Sequence, residues 1–272
     1  QRRTRDGRRA LAALGLTEVV TFSFLSRTHA ALFGGDNPKL VLANPISADL
    51  DVMRPSLLPN LLLAAKRNAD RSLDDAALFE IGPQFRDDTP EGQTLVASGM
   101  RVGARSARHW GEKPRPVDAL DAKSDTMALL AALGVATDAV QVERSAPPWY
   151  HPGRSGTLKL GPKTVLAWFG EFHPRVLAAL DMKGPAVGFE IFLNALPAPK
   201  AKASKARPAL KLSAFQPVDR DFAFVLDAEV PAEQVLRAVK GVDKTLITDV
   251  SVFDVYQGKG VPEGKKSIAI SV

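Results

Sequence analysis

The residues with the widest chemical reach in this chain are four histidines, His29, His109, His151 and His173. Imidazoles ligate metals and move protons. A zinc site, however, needs several ligands converging from spacings such as HExxH, and none of the four stands in such a pattern. His151 and His173 each precede a proline, which biases them to extended backbone, so they read as hydrogen-bonding residues at turns. Gly153-Arg154-Ser155-Gly156 comes near the G-x-S-x-G nucleophile elbow, but its second glycine falls one residue early and no base is spaced to complete a triad. It reads as a turn between strands. No stretch matches the phosphate-cradling GxGxxG or GxxxxGK[ST] patterns. Gly258-Lys259-Gly260 and Gly264-Lys265-Lys266 flank Pro262-Glu263 as a hairpin with a flexible loop. Its lysines can reach RNA phosphates, and Tyr256, just before the loop, can stack on a base. The residues thus offer no catalytic constellation and no metal site.

The elements that would position these residues follow from periodicity. Arg3 to Leu14 predicts a helix with Ala10, Leu11 and Leu14 on one face, stopped by Gly15. Glu18 to Leu25 alternates as a strand. Leu40 to Ala43 reads as a short strand ending at the Asn44-Pro45 turn. Ser56 can cap a helix from Leu57 to about Arg71, with Pro59 in its first turn. Ala77 to Ile81 predicts a buried strand stopped by Gly82-Pro83, and Leu95 to Gly103 another. Asp118 to Leu133 predicts an amphipathic helix ended by Gly134. Leu158–Leu160, Val165–Phe169 and Val187–Ile191 read as strands, and Arg175–Leu180 as a short helix after Pro174. Residues 197–211 hold lysines, prolines and alanines that cannot fill a core, which predicts a linker. Beyond it, Asp221–Leu226 (strand), Pro231–Lys240 (helix with proline at its first position), Leu246–Tyr256 and Lys266–Val272 (strands) give β-α-β-β, the start of a ferredoxin-like βαββαβ fold.

Composition sets the frame. The chain has 272 residues, 45% hydrophobic and 24% charged, which favours two folded domains over one. No apolar run approaches the roughly 18 residues of a membrane helix, and the basic run Gln1 to Arg9 has no apolar stretch of signal-peptide type behind it. The first residue is not methionine, which reads as a cut fragment. The absence of cysteine fits a reducing cytoplasm. The formal charge of +6 is concentrated in two places: residues 1–10 hold five arginines against Asp6, and residues 197–211 hold five cations and no acid. Either stretch can meet a polyanion such as RNA, or serve only as a solubilising tail and linker.

Seven stretches, in order and at matching spacing across nearly the whole chain, resemble the beta subunit of bacterial phenylalanine–tRNA ligase. They are GLTEVVTFSF at 15–24; NPIS at 44–47 with VMRPSLLP at 52–59; LFEIG at 78–82; HPGRS at 151–155; GEFHP at 170–174; FQPVDRDF at 215–222; and FDVYQG at 253–258 with VPEGKKS at 261–267. The resemblance implies the C-terminal portion of that subunit and an α+β chain. Residues 1–196 would form a class II synthetase-like antiparallel sheet domain lacking the active site. Residues 212–272 would form a ferredoxin-like anticodon-binding domain, truncated to βαββ. Class II chemistry needs an arginine on a motif-two strand and another after a glycine-rich motif-three strand to hold phosphate charge. Here Gly82-Pro83-Gln84 falls where the first strand would run, the only nearby candidate is Arg86, and no GxGxGxxR run follows.

The resemblance further implies a non-catalytic subunit that scaffolds a catalytic alpha subunit and binds tRNA(Phe), in a cytoplasmic heterotetramer of two alpha and two beta subunits. ATP and Mg2+ would be used by the holoenzyme and held outside this chain. Asn44, Pro45, Arg54, Leu57, Leu58, Pro59, His151, Arg154 and His173 would mark the subunit interface or its structural support. Arg220, Tyr256, Lys259, Lys265 and Lys266 would face RNA. Two other readings remain open: a self-sufficient adenylate-forming enzyme, and a stand-alone RNA-binding adaptor with a synthetase-like body.

Overall fold

The computed structural model describes residues 1–198, 209 and 214–272. Most of the 197–211 segment read as a linker lies outside the described residues. The chain divides into two compact units, Gln1–Lys200 and Ala201–Val272.

The larger unit is built on a seven-stranded sheet. In chain order its elements are α1 (Arg2–Ala13), β1 (Thr17–Glu18), β2 (Phe24–Leu25), α2 (Arg27–Ala31), β3 (Val52–Met53), α3 (Leu58–Ala69), β4 (Ala76–Phe85), β5 (Gln93–Val102), α4 (Ala119–Ala132), β6 (Val140–Glu143), β7 (Tyr150–Leu160), β8 (Thr164–Phe172), α5 (Pro174–Ala179) and β9 (Ala186–Phe192). The sheet order is β1-β4-β5-β9-β8-β7-β6, and β2 pairs with β3 apart from it. All neighbours in the large sheet are antiparallel except β1 and β4, which are parallel. The sheet is therefore mixed, not wholly antiparallel as the sequence suggested.

Side chains alternate across the pleat and feed two cores. Phe79, Ala97, Val187 and Ile191 pack on one face with Leu11 of α1 and Leu129 and Leu130 of α4. Leu78, Met100 and Ala186 pack on the other with Leu58, Leu61 and Leu62 of α3 and Val176 and Leu177 of α5. The basic N-terminal run is thus a packed helix and not a tail. Its Arg3 donates to the carbonyls of Leu193 and Pro197, and Arg8 pairs with Glu18 at 2.6 Å. Helix α4 starts on a reciprocal capping box between Asp118 and Asp121, a device that satisfies two otherwise orphaned donors.

Several local expectations are corrected, each for a visible reason. The Glu18–Leu25 strand is broken, because Thr21 turns both its N–H and its hydroxyl to the Glu80 carboxylate (3.3 and 2.6 Å). Leu40 ends a 3₁₀ turn, Pro38–Leu40, capped by Asn37, and Val41 makes only an isolated bridge to Val52. Gly82-Pro83 does not stop β4. Beside Pro83 the sheet has a strand on one side only, since β1 reaches only Leu78 and Phe79, so the missing N–H costs no ladder bond. Gly153 to Gly156 is no turn: it lies within β7, where the register slips between Tyr150 and Ser155 as a bulge. Strand β6 carried no strand reading in the sequence.

The smaller unit comprises β10 (Asp221–Asp227), α6 (Ala232–Lys240), β11 (Ser251–Tyr256) and β12 (Lys265–Ser271), with sheet order β10-β12-β11, all antiparallel. Pro231 is the N-cap of α6 and not its first residue, and β11 begins at Ser251 and not Leu246. Its core centres on Val250, Ile268 and Ile270 under the apolar stripe of α6, Val235, Leu236 and Val239. Among the described residues no strand pairs with the outer edge of β10.

Candidate functional site

The register of the large sheet lines up Glu80, Ser98, Glu190 and Trp168 as direct neighbours across β4, β5, β9 and β8. This puts a polar row on the face that carries α3. Glu80, Ser98 and Glu190 are all buried. Arg54, itself 1% exposed, enters the row from the segment before α3. It donates to Glu80 at 2.8 Å, to Thr21 Oγ1 at 3.0 Å and to the Pro83 carbonyl at 2.8 Å. Gly82 makes this possible, since a Cβ there would stand 2.6 Å from the Arg54 guanidinium.

At the other end of the row, Glu190 accepts from Ser56 Oγ at 2.6 Å, Trp149 Nε1 at 3.2 Å and Tyr150 Oη at 3.4 Å. Burial pushes its carboxyl up to about 7, against the opposing pull of those three donors. The same burial, with Glu190 beside it, pushes the Tyr150 hydroxyl well up. A cavity of about 290 Å³ opens beside this end, walled by Phe33, Trp149, Trp168 and Phe192, with Gln84 and Arg86 among its polar lining. The Gln84 Oε1 and Ser98 Oγ atoms are buried without a partner among the described residues.

What this arrangement can do is set by where its arginines point. Holding a triphosphate requires guanidinium groups with free donors. Arg54 is committed to Glu80. Arg101, on β5, forms a bidentate buried pair with Asp125 (2.7 and 3.1 Å) and donates to the Leu14 carbonyl. Arg86 alone stands near the cavity, largely exposed and 3.7 Å from Asp87. The described residues contain no group of three or more histidine, aspartate or glutamate side chains that could hold a metal, and no helix long and apolar enough to cross a membrane.

The other residues singled out in the sequence fall into separate places. Leu57, Leu58 and Pro59 are buried, as is Arg54. Ser56 Oγ accepts from the Leu58 amide at 3.1 Å, so these residues fix the start of α3 from inside the fold. Asn44 and Pro45 lie on an exposed loop beside Ile46, which is 76% exposed. Separately, Val20 and Phe22 are exposed and line a 630 Å³ groove together with Asn60, whose Oδ1 is buried without a partner among the described residues. His151 and His173 stack at 6.3 Å between ring centroids and accept the backbone amides of Gly153 and Arg175 through Nδ1. Arg154 pairs with Glu171 across β7 and β8. Gly170 admits this close crossing, since a Cβ there would approach Ser155 Cβ to 2.3 Å.

In the smaller unit the five RNA-facing candidates do not form one cluster. Arg220 exchanges both backbone bonds with Val272 at one end of the sheet. Tyr256 aligns with Ser267 toward the other end, about 16 Å away at roughly 3.3 Å per residue. The Tyr256 hydroxyl donates to the Lys259 carbonyl at 3.2 Å. Lys265 pairs with Asp227 at 2.7 Å. Lys266 is 8% exposed and donates to the Ala228 carbonyl at 2.8 Å. The three lysines therefore differ: Lys266 is buried against the Ala228 carbonyl, Lys265 is exposed but pairs with Asp227, and Lys259 is exposed.

Residues 1–193 match the family described as the phenylalanyl tRNA synthetase beta chain CLM domain. The chain belongs to the phenylalanyl-tRNA synthetase beta chain family. Residues 213–272 of this beta-chain sequence match the ferredoxin-fold anticodon binding domain. Among curated relatives, the phenylalanine–tRNA ligase beta subunits of Paramagnetospirillum magneticum and Rhodospirillum rubrum are 59% and 56% identical over 272 residues, all of this chain and 34% of each relative. The chain thus spans about a third of their length. Among solved structures, a pyrrolysyl-tRNA synthetase from Desulfitobacterium hafniense superimposes with a TM-score of 0.55 at 17% identity, over 72% of this chain and 66% of that one. That likeness shows a shared fold over that part of the chain.

Sequence reasoning missed Glu190 and Ser98 as neighbours of Glu80 in one row. The alternation of apolar residues around Glu80 and Glu190 was a signal, because a glutamate on a buried strand demands a partner. The sequence could not say which one.

Proposed function

We propose that this chain is a non-catalytic part of a phenylalanine–tRNA ligase beta subunit that scaffolds a catalytic alpha subunit and contributes to binding tRNA(Phe) during ATP-dependent attachment of phenylalanine. The observation that carries this reading is the commitment of the sheet arginines. In a synthetase-like body, Arg54 and Arg101 are buried against Glu80 and Asp125, which leaves neither guanidinium free to bind a nucleotide triphosphate. ATP and Mg2+ would be held elsewhere in a cytoplasmic heterotetramer of two alpha and two beta subunits. Within the chain, residues 1–196 would be the catalytic-like core domain, 197–211 a linker and 212–272 the anticodon-binding domain. The exposed Val20 and Phe22 beside the groove that carries Asn60 give the larger unit an apolar patch fit for a protein partner. His151, Arg154 and His173 would support the β7–β8 crossing. Arg220, Tyr256 and Lys259 remain the candidates for RNA contact.

Co-purification with the alpha subunit, with and without tRNA, tests this, alongside phenylalanine-dependent pyrophosphate exchange. Binding of the alpha subunit with no exchange by the chain alone is expected. Exchange above a protein-free control would point instead to a self-sufficient adenylate-forming enzyme. RNA capture without any alpha-subunit binding would point to a stand-alone adaptor.

A further inference from the structure

Between β5 and α4 the chain leaves the sheet and returns through a narrow hairpin, residues 104–116. Ala104 bridges Pro116, and the Arg105 amide donates to the Arg115 carbonyl at 2.9 Å. Further out, His109 bridges Glu112, so Trp110 and Gly111 form the two-residue tip. The His109 ring braces the tip by accepting the Gly111 amide at 3.2 Å.

The base of the hairpin is tied to α4. Arg105 and Arg115 both pair with Asp121, at 2.9 and 2.7 Å. Burial pushes the Asp121 carboxyl up, but Arg115, the Asp118 amide and Arg105 outweigh it and hold the group below its ordinary range. The hairpin is therefore anchored at its foot by charge pairs and closed at its tip by a bridge.

That construction holds up an indole with nothing around it. Trp110 is fully exposed. Indoles are usually well covered, and an aromatic ring braced in open water serves recognition better than packing. Its surroundings are basic: residues 104–116 carry Arg105, Arg108, Lys113 and Arg115 against the single acid Glu112. The two arginines at the foot are committed to Asp121. Arg108 and Lys113 flank the tip, are exposed, and have no ion-pair partner among the described residues.

A flat ring between two available cations matches the chemistry of an unpaired nucleic-acid strand, in which a base offers a π-face and the adjoining phosphates offer charge. We propose that the 104–116 hairpin is a second RNA-binding element, on the larger unit, in which Trp110 stacks on an unpaired base and Arg108 and Lys113 hold the flanking phosphates. The inference goes beyond the proposed function, which looks for RNA on the smaller unit. Its readout, the emission of one indole, is taken on the chain alone and needs no alpha subunit.

The chain has three tryptophans, and the other two, Trp149 and Trp168, are packed together in an aromatic cluster. Subtracting the emission of a Trp110→Phe variant therefore isolates Trp110. Tryptophan fluorescence of the full chain is titrated with octauridylate, with tRNA and with a blunt RNA duplex at two salt concentrations. Saturable quenching by octauridylate and tRNA, little by the duplex, is expected. Trp110→Ala should weaken binding of octauridylate about tenfold, with Trp110→Phe retaining most of the affinity. Arg108→Gln with Lys113→Gln should lower the salt slope by about 1.4 for single strands. The proposal is overturned by absence of saturable quenching at low salt, by equal quenching with the duplex, or by unchanged affinity in Trp110→Ala. It is equally overturned if the indole is shielded only when the alpha subunit is added, which would make the hairpin a protein contact.

Discussion

The two units solve the same problem, covering a sheet, with very different completeness. In the larger unit both sheet faces carry helices, and two charge pairs are buried in the interior: Arg54 with Glu80, and Arg101 with Asp125. Among the described residues of the smaller unit a single helix covers part of one face, and Val250, Ile268 and Ile270 are buried at its centre. Phe222 and Phe224 lie level with Ile270 and Ile268, on the face that α6 covers, yet remain 47% and 38% exposed and stack on each other. Its named ion pairs are surface pairs, such as Lys265 with Asp227. Interior charges fix a geometry because leaving one alone is costly. Surface pairs contribute little. The larger unit is built to hold a fixed shape, and the smaller presents apolar and basic groups to its surroundings.

That contrast can be broken most directly at the buried charges. Arg101→Ala leaves Asp125 buried without its partner and should cost about 3–5 kcal/mol. The Arg101→Met/Asp125→Leu double variant should recover much of that loss, whereas Lys265→Ala in the smaller unit should leave the urea midpoint of the chain unmoved. If Arg101→Ala and Lys265→Ala behave alike, the contrast between interior and surface pairing is wrong.

A somewhat smaller effect should come from Glu190. Its carboxyl lies near 7 in the folded chain and near the ordinary glutamate value when unfolded. The folded state therefore binds the extra proton between those two limits. Stability is greatest below about pH 4.5 as far as this group is concerned, and declines as pH rises to about 7, by roughly 3 kcal/mol in all. Glu190→Gln should flatten that decline. An unchanged pH profile in the variant would show that Glu190 does not titrate in this range. The smaller unit holds no such buried carboxylate among its described residues, so its unfolding should lack this component.

The subtlest comparison is local opening. The outward amides of β10 have no strand beside them among the described residues, whereas β5 is paired on both sides. Amide exchange of residues 221–227 should run at least about 100-fold faster than that of residues 95–102, since unpaired edges open at low free energy. Equal protection would mean that another surface covers β10 in solution.

Much of this was legible in the chain itself. Helices α1, α3 and α4 follow from apolar spacing and from stops such as Gly15 and Gly134, because helix contacts are local and repeat every three to four residues. The two-unit organisation and the family rest on local motifs, which need no knowledge of packing. What the tertiary structure alone decided is how the charged residues are used. Glu80, Ser98 and Glu190 stand side by side although nearly twenty and nearly a hundred residues separate them in the chain. Arg54 could mark the subunit interface or its structural support, and only the placing of Glu80 against it showed a buried structural pair; Lys266 was a candidate RNA contact, and only the fold showed its ammonium on the Ala228 carbonyl. Strand pairing joins residues by register and not by sequence distance, and one residue of slip moves a side chain to the opposite face. The local pattern therefore determined which elements form, while the register determined which charges are buried, which are paired, and which, like those flanking Trp110, remain free to meet a partner.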